Sequence, residues 1–381
     1  MKKIIKLISF ALILAMILST VACSKSGDIE NGSDSGASSN ESSYSPNGEN
    51  SGENSGENSG ADSTGKSTTK KETSKSTDKT NTTPVTVKTV KGYLLSASSP
   101  SDTYGNGMFL AYKLTDGRLL VYDGGNASVK NFMIEALQTI AGTKKVKVAA
   151  WVMTHDHGDH YGALIEYYYA NASTINQVLE VEEFWMNPMI ADGYNLQNNL
   201  KKAFPQASFR RLVYGEEFML DKIKVTVLCT PEVIPSDSRN DVNTYSLVTM
   251  LNIGGKKILM TGDANEPAWD FMVRQQSKGD KFSLKCDFLQ VPHHGVHAAG
   301  TAEGYAAASP RYLVIPSTVD LTNWLTTTSN AKPSYDLYAK HGITPGGLKK
   351  ETDNMTYWFA GCYGKSGTTD IKCFVTYKET N

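Results

Sequence analysis

Thr154-His155-Asp156-His157-Gly158-Asp159-His160 is the stretch on which the reading of this chain turns. It follows Val146–Met153, a short apolar run rich in β-branched residues that ends abruptly in polar ones, the pattern of a buried strand. Three histidines and a carboxylate therefore sit at a strand end, where side chains converge on one point. Neutral imidazole and carboxylate are the ligands that suit zinc and similar divalent ions. Gly158 frees the backbone between them, so the turn reads as half of a metal site.

The other half is sought at further strand ends. Asp123 closes the apolar run Arg118–Tyr122 and is followed by Gly124-Gly125. Asp263, in Thr261-Gly262-Asp263, follows Lys257–Met260, and His293-His294-Gly295 follows Phe288–Val291 through Pro292. In chain order, four strand ends deliver Asp, a His cluster, Asp and a His pair.

The flanks read outward from this core. The N-terminus has a basic start at Lys2, Lys3 and Lys6, then the apolar run Leu7–Leu18, then small residues up to Cys23. That is a secretory signal peptide, too short for a comfortable membrane span. Cys23 directly after Ala22 resembles a bacterial lipoprotein signal, which implies lipidation of Cys23, although Thr20 stands where leucine is more usual. Residues 24–83 repeat Gly-Glu-Asn-Ser and continue in a Ser/Thr/Lys tract, with too few apolar residues to offset the entropy of ordering. They are expected to form a disordered tether.

Residues 84–381 are enough for one large domain. The chain carries 38 Lys+Arg against 39 Asp+Glu. A balanced charge lacks the global basic footprint usual in nucleic-acid binders. Cys362 and Cys373 flank a turn region and are a candidate disulfide of an exported protein, while Cys229 and Cys286 read as small buried hydrophobes. Tyr167-Tyr168-Tyr169, Trp185 and Trp324 are either core or the lining of a cleft. Asn131–Ala141, Tyr161–Tyr169 and Pro333–Lys340 read as helices. Tyr245–Ile253, Lys257–Met260 and Tyr312–Ile315 read as strands. Strand pairs with interspersed helices imply two sheets covered by helices.

The combined motifs resemble the metallo-β-lactamase superfamily of metallohydrolases, over about residues 86–376. Its H-x-H-x-D-H signature is matched by His155, His157, Asp159 and His160. The runs Asn243–Val248, Leu259–Asp263 and Val291–Gly295 look more specifically like the hydrolase domain of ComEC-type competence proteins. The resemblance implies a four-layered αββα sandwich and two divalent ions, zinc or manganese, or one alone. It implies His155 and His157 at the first metal, Asp159, His160 and His294 at the second, and Asp263 between them. Asp123 would orient the ligand turn, and His293 would lie beside the metals or touch substrate.

One departure is plain. Many relatives have a third first-metal histidine where this chain reads Asn240-Asp241-Val242-Asn243. Asn243 or Asp241 is left to supply an oxygen, a change that moves preference toward manganese. A divalent ion lowers the pKa of water from 15.7 to about 7, so the expected activity is hydrolysis with Asp159, Asp263 and His293 as catalytic residues. The ComEC-type likeness implies a phosphodiester, DNA or a nucleotide, as substrate. A lactam, lactone or ester is the runner-up, and a non-catalytic surface module is the rival from another class. The expected location is outside the cytoplasmic membrane, held by Cys23, with no protein partner implied.

Overall fold

The computed structural model describes residues 87–97, 107–239, 241–279, 282–296, 300–318, 332–341, 349–352, 355–358 and 369–380. The signal peptide, Cys23, the tether, Trp324 and Cys362 lie outside them. In chain order the strands are β1 (Val87–Ala97), β2 (Phe109–Lys113), β3 (Leu119–Asp123), β4 (Val146–Val152), β5 (Leu179–Val181), β6 (Glu183–Trp185), β7 (Ser208–Arg210) and β8 (Glu217–Leu220). They continue as β9 (Ile223–Cys229), β10 (Val248–Ile253), β11 (Lys256–Met260), β12 (Phe288–Gln290), β13 (Tyr312–Val314), β14 (Lys349–Thr352), β15 (Met355–Trp358) and β16 (Thr369–Thr380). The helices are α1 (Lys130–Ala141), α2 (Gly158–Asn171), α3 (Ile175–Val178), α4 (Ala191–Ala203), α5 (Glu266–Ser277), α6 (Ala302–Ala308) and α7 (Lys332–His341).

The strands form two sheets. The first runs β14-β15-β16-β1-β2-β3-β4-β6-β7, with β5 also paired to β4; the second runs β13-β12-β11-β10-β9-β8. In each, an antiparallel stretch passes into a parallel one. The change comes at β3–β4 in the first sheet and at β11–β12 in the second.

Alternation along the strands explains the layering. In β2, Leu110 and Tyr112 face the second sheet while Phe109 and Ala111 face helices. In β11, Ile258 and Met260 face the first sheet while Leu259 faces the other way. Both faces are buried, which is why these strands are continuously apolar and do not alternate with polar residues. Three apolar interiors result. One lies between the sheets, around Tyr112, Val152, Val225, Phe288 and Phe374. A second packs Met133, Leu137, Leu164 and Leu200 of α1, α2 and α4 on the first sheet. A third packs Trp269, Tyr305 and Tyr338 of α5, α6 and α7 on the second. Three interiors between four layers make the αββα sandwich.

The expected elements recur with small shifts, and one expected boundary moves. Tyr245 lies in a 3-10 turn, Val242–Tyr245, and the strand begins only at Val248. Asp241 caps that turn by accepting from Asn243 N, so the chain turns before it extends. Trp185 is buried between the sheets, and Cys229 and Cys286 are buried in the third interior. Of the tyrosine run, Tyr167 and Tyr168 pack on the second interior and Tyr169 is exposed. Among the described residues no helix is long and apolar enough to cross a membrane.

Candidate metal centre

The site lies where strand ends of both sheets meet. The turn after β4 supplies His155 and His157, and the first turn of α2 supplies Asp159 and His160. The second sheet supplies Asp263 after β11 and His293-His294 after β12. Asp263 Oδ2 is the common point. It lies 3.1 Å from His160 Nε2, 3.5 Å from His294 Nε2, 3.7 Å from His155 Nε2 and 4.0 Å from His293 Nε2. His294 Nε2 is also 3.2 Å from Asp159 Oδ2, and His157 Nδ1 is 3.1 Å from His155 Nε2.

The hydrogen bonds behind these rings decide which nitrogen faces inward. His160 Nδ1 donates to Asp123 Oδ2 at 2.9 Å, and His294 Nδ1 donates to the Pro316 carbonyl at 2.8 Å. Thr154 Oγ1 gives its one proton to Asp123 Oδ2 at 2.7 Å, so it accepts from His155 Nδ1 at 3.1 Å. All three rings thus have Nδ1 engaged as a donor, which leaves Nε2 as the free lone pair. Three Nε2 lone pairs and a carboxylate oxygen then face one another, an arrangement that needs a cation or protons between them. Asp263 Oδ1 is buried and without a hydrogen-bond partner. A divalent ion fits this donor set on both counts.

The charges agree. Burial alone would lower His160, but Asp263, Asp123 and Asp159 more than reverse it and hold the imidazolium well above the usual range. His294 is likewise opposed by burial, yet Asp263 and Asp159 raise it to about 10. Burial opposes ionisation of Asp159 and Asp263, and the same imidazoles overcome it, keeping both carboxylates charged to unusually low pH. His155 differs: burial and the neighbouring His160 push it well below its ordinary value. Two protonated rings therefore occupy the place a cation would take.

Some contacts here have no sequence signal. Asp123 accepts from Thr154 N at 2.9 Å, as well as from Thr154 Oγ1 and His160. Ser246 Oγ accepts from Asp263 N at 3.1 Å and lies 3.5 Å from His155 Nδ1. Gly262 has φ +54, and a Cβ there would lie 2.9 Å from Thr154 Cβ, so the sheets approach too closely for a side chain. Gly295 has φ +82, and a Cβ would fall 1.6 Å from Tyr338 Oη.

Strain is concentrated here too. Five described non-glycine residues have positive φ, and three are Asp123, His293 and His294. Each such residue costs about 1–3 kcal/mol and persists only where its surroundings over-determine it. Most of the cluster is closed to solvent. The side chains of Asp159 and His293 are 25% and 22% exposed, whereas those of His155, His160 and His294 are fully buried. Asp159 and His293, with half-buried His157, therefore form the mouth. Asn243 Nδ2 is 3.5 Å from His293 Nε2, so Asn243 adjoins the same mouth.

No family model matches the sequence, and no curated protein matches it. Among solved structures it is similar to YhfI, a metallo-β-lactamase fold protein of Bacillus subtilis, at 11% identity and TM-score 0.39, over 60% of this chain and 85% of that one. It is similar to a diphosphatase of the PhnP family at 15% identity and TM-score 0.35, over 60% and 85%. A third likeness is to CmlA, a diiron β-hydroxylase of Streptomyces venezuelae, at 11% identity and TM-score 0.42, over 75% and 54%. Scores this low carry no activity across to this chain.

Proposed function

We propose that this chain is a metal-dependent hydrolase with two divalent ions, zinc or manganese, acting on a phosphodiester of DNA or a nucleotide. The observation that supports it most is the convergence of His155, His160 and His294 Nε2 on Asp263 Oδ2, with Asp159 beside them. In this reading His155 and His157 hold the first ion, Asp159, His160 and His294 the second, and Asp263 both. Bound ions supply Lewis-acid polarisation and bring the pKa of water down to about 7.

The protein's own residues do the rest. Asp123, through Thr154 and His160, fixes the rings so that no reorganisation is needed when a substrate arrives. Asp159, at the mouth, accepts a hydrogen bond from the attacking water and orients it. His293, also at the mouth, contacts the substrate. Burial of the remaining ligands excludes competing water. The phosphodiester rests on the ComEC-type likeness of Asn243–Val248, Leu259–Asp263 and Val291–Gly295.

The test is a substrate panel with added manganese or zinc: bis-p-nitrophenyl phosphate, single-stranded DNA and nitrocefin. Diester turnover that is lost in His157→Ala is the expected result. Lactam turnover without diester turnover would replace the substrate assignment. A purified domain that takes up no transition metal would end the enzyme reading and favour a binding module. We further propose that Cys23 is lipidated and that residues 24–83 hold the domain away from the outer face of the membrane. Fatty-acid labelling that persists in Cys23→Ser would refute the anchor.

A further inference from the structure

The two ligand-bearing turns of the second sheet are joined by one buried amide. Gln290 is the last residue of β12 and is fully buried, in a strand whose other residues, Phe288 and Leu289, are apolar. Burying a primary amide is unfavourable unless its hydrogen bonds are replaced. Here they are. Gln290 Oε1 accepts from Thr261 N at 2.7 Å, and Thr261 Oγ1 lies 2.9 Å from the same oxygen and 2.8 Å from the Gln290 carbonyl. Gln290 Nε2 donates to the Gly262 carbonyl at 3.0 Å and to the Val291 carbonyl at 2.7 Å. A backbone N–H only donates and a carbonyl only accepts, so these partners permit one orientation of the amide.

The bonds fall where ligands are placed. The register of β11 with β12 ends at Leu259–Leu289, and beyond it the Gln290 side chain takes over from the ladder. On one strand it holds Thr261 and Gly262, the two residues before Asp263. On the other it holds Val291, two residues before His293. The Gly262 carbonyl also accepts from His293 N at 3.3 Å, so both turns meet at one oxygen. Gly262, His293 and His294 have φ of 54°, 48° and 56°. Histidines keep such a left-handed backbone only where their surroundings over-determine it.

We propose that Gln290 is a positioning residue of the metal centre. Its amide fixes Asp263 and His294 relative to each other, Oδ2 to Nε2 at 3.5 Å, and thereby sets the affinity for the second ion. All the hydrogen bonds named above go to Thr261, Gly262 and Val291, none of which is a ligand. The effect falls mainly on the second ion, which takes Asp263 and His294 from this sheet, whereas the first takes Asp263 alone. This rests on the metal-centre reading given above and adds a residue outside its ligand set.

The test is metal binding to the full chain after removal of metal with chelator. Zinc affinity is read by competition with a chromophoric chelator, and ligand geometry by the visible absorption of bound cobalt. Gln290→Leu keeps most of the bulk and none of the side-chain bonds. It should weaken one ion by about 10- to 100-fold, the range for loss of a group that orients ligands, and change the cobalt spectrum. Gln290→Glu separates positioning from packing, and is the check if Gln290→Leu does not fold. Its carboxyl replaces a donated bond only while protonated, and as a carboxylate it faces two carbonyl oxygens. Its zinc affinity, taken relative to wild type at the same pH, should fall by about tenfold from about pH 5.5 to about pH 8.

Unchanged zinc affinities and cobalt spectrum in Gln290→Leu would overturn the assignment even if its Tm falls, because Gln290 would then only hold the fold. A Gln290→Glu ratio that does not vary with pH would overturn it too. Wild type that takes up no ion would overturn the metal centre itself and this assignment with it, a failure visible before any variant is made.

Discussion

Asp123→Asn is a sensitive probe of how the centre is organised, because it changes one atom's role and little else. Asp123 accepts three hydrogen bonds, from Thr154 N, Thr154 Oγ1 and His160 Nδ1. Asparagine can keep the first through its carbonyl, but it then presents an NH2 to the other two. His160 must offer Nδ1 as an acceptor, and its remaining proton moves to Nε2, the atom 3.1 Å from Asp263 Oδ2. The lone pair needed for coordination is then gone. The backbone does not confound the result, because asparagine tolerates the left-handed φ of 56° found at this position. Loss of such an orienting partner typically weakens metal affinity by about 10–100-fold, or about 1.4–2.8 kcal/mol. Isothermal titration of chelator-treated wild type and variant with zinc gives the number directly. A variant Kd within twofold of wild type would refute the claim that Asp123 sets the tautomer of His160.

Other expectations follow from the same geometry. Metal uptake at pH 7 should release about two protons, from His160 and His294, seen as buffer-dependent heats of binding; no buffer dependence would mean both rings are already neutral. Because the folded pKa of both histidines is raised, their contribution to metal-free stability is full below about 6.5 and is lost as pH rises toward about 10. Asp159 and Asp263 are depressed, so their contribution is full above about 4 and is lost below it. The metal-free Tm should therefore peak near pH 4–6.5 and fall by pH 9, while the metal-loaded Tm stays flatter there. Phe288→Ala, in the interior between the sheets, should cost about 3–5 kcal/mol in urea unfolding; a cost under about 1 kcal/mol would mean that interior is loosely packed. Gly295→Ala should lower Tm far more than Gly255→Ala. Both have positive φ, but a Cβ at Gly255 meets nothing within 4 Å while one at Gly295 meets Tyr338; equal losses would show that φ alone matters.

Much of the site was legible because its residues are local in sequence. His155, His157, Asp159 and His160 lie in one turn, and Asp263 and His294 end apolar runs that could only be buried strands. What binds the two halves together was not legible. Thr154 and Ser246 are ordinary polar residues until the chain packs: Thr154 then ties Asp123 to His155 on the first sheet, and Ser246, bonded to Asp263 N on the second, comes within 3.5 Å of His155 Nδ1 across the seam. The left-handed backbone at His293 and His294 has no signature, since histidine, though it enters that region more often than most non-glycine residues, is found there only in a minority of cases. Among the elements, β5, β6 and β7 have three residues each, too few to show a period. Helix α4 is mostly polar, with Leu196 and Leu200 as its main apolar contacts, so its stripe is faint. Helix α5 begins Glu266-Pro267, a helix-start signal that is easily read as a loop.

The origin of the ligands in both sheets has a mechanical meaning. His155 and Asp263 are separated by more than a hundred residues, and each ends a strand of a different sheet. An ion held by both acts as a cross-link between layers otherwise joined by apolar packing and a few bonds such as Tyr122 Oη to Thr249 Oγ1. Unlike a disulfide, it leaves the chain on unfolding, so it stabilises the folded state by mass action, by a term that grows with the free ion concentration. Chelation should then do more than silence a reaction: hydrogen exchange should quicken together at β4, β11 and β12, as the two sheets gain freedom to part along that seam.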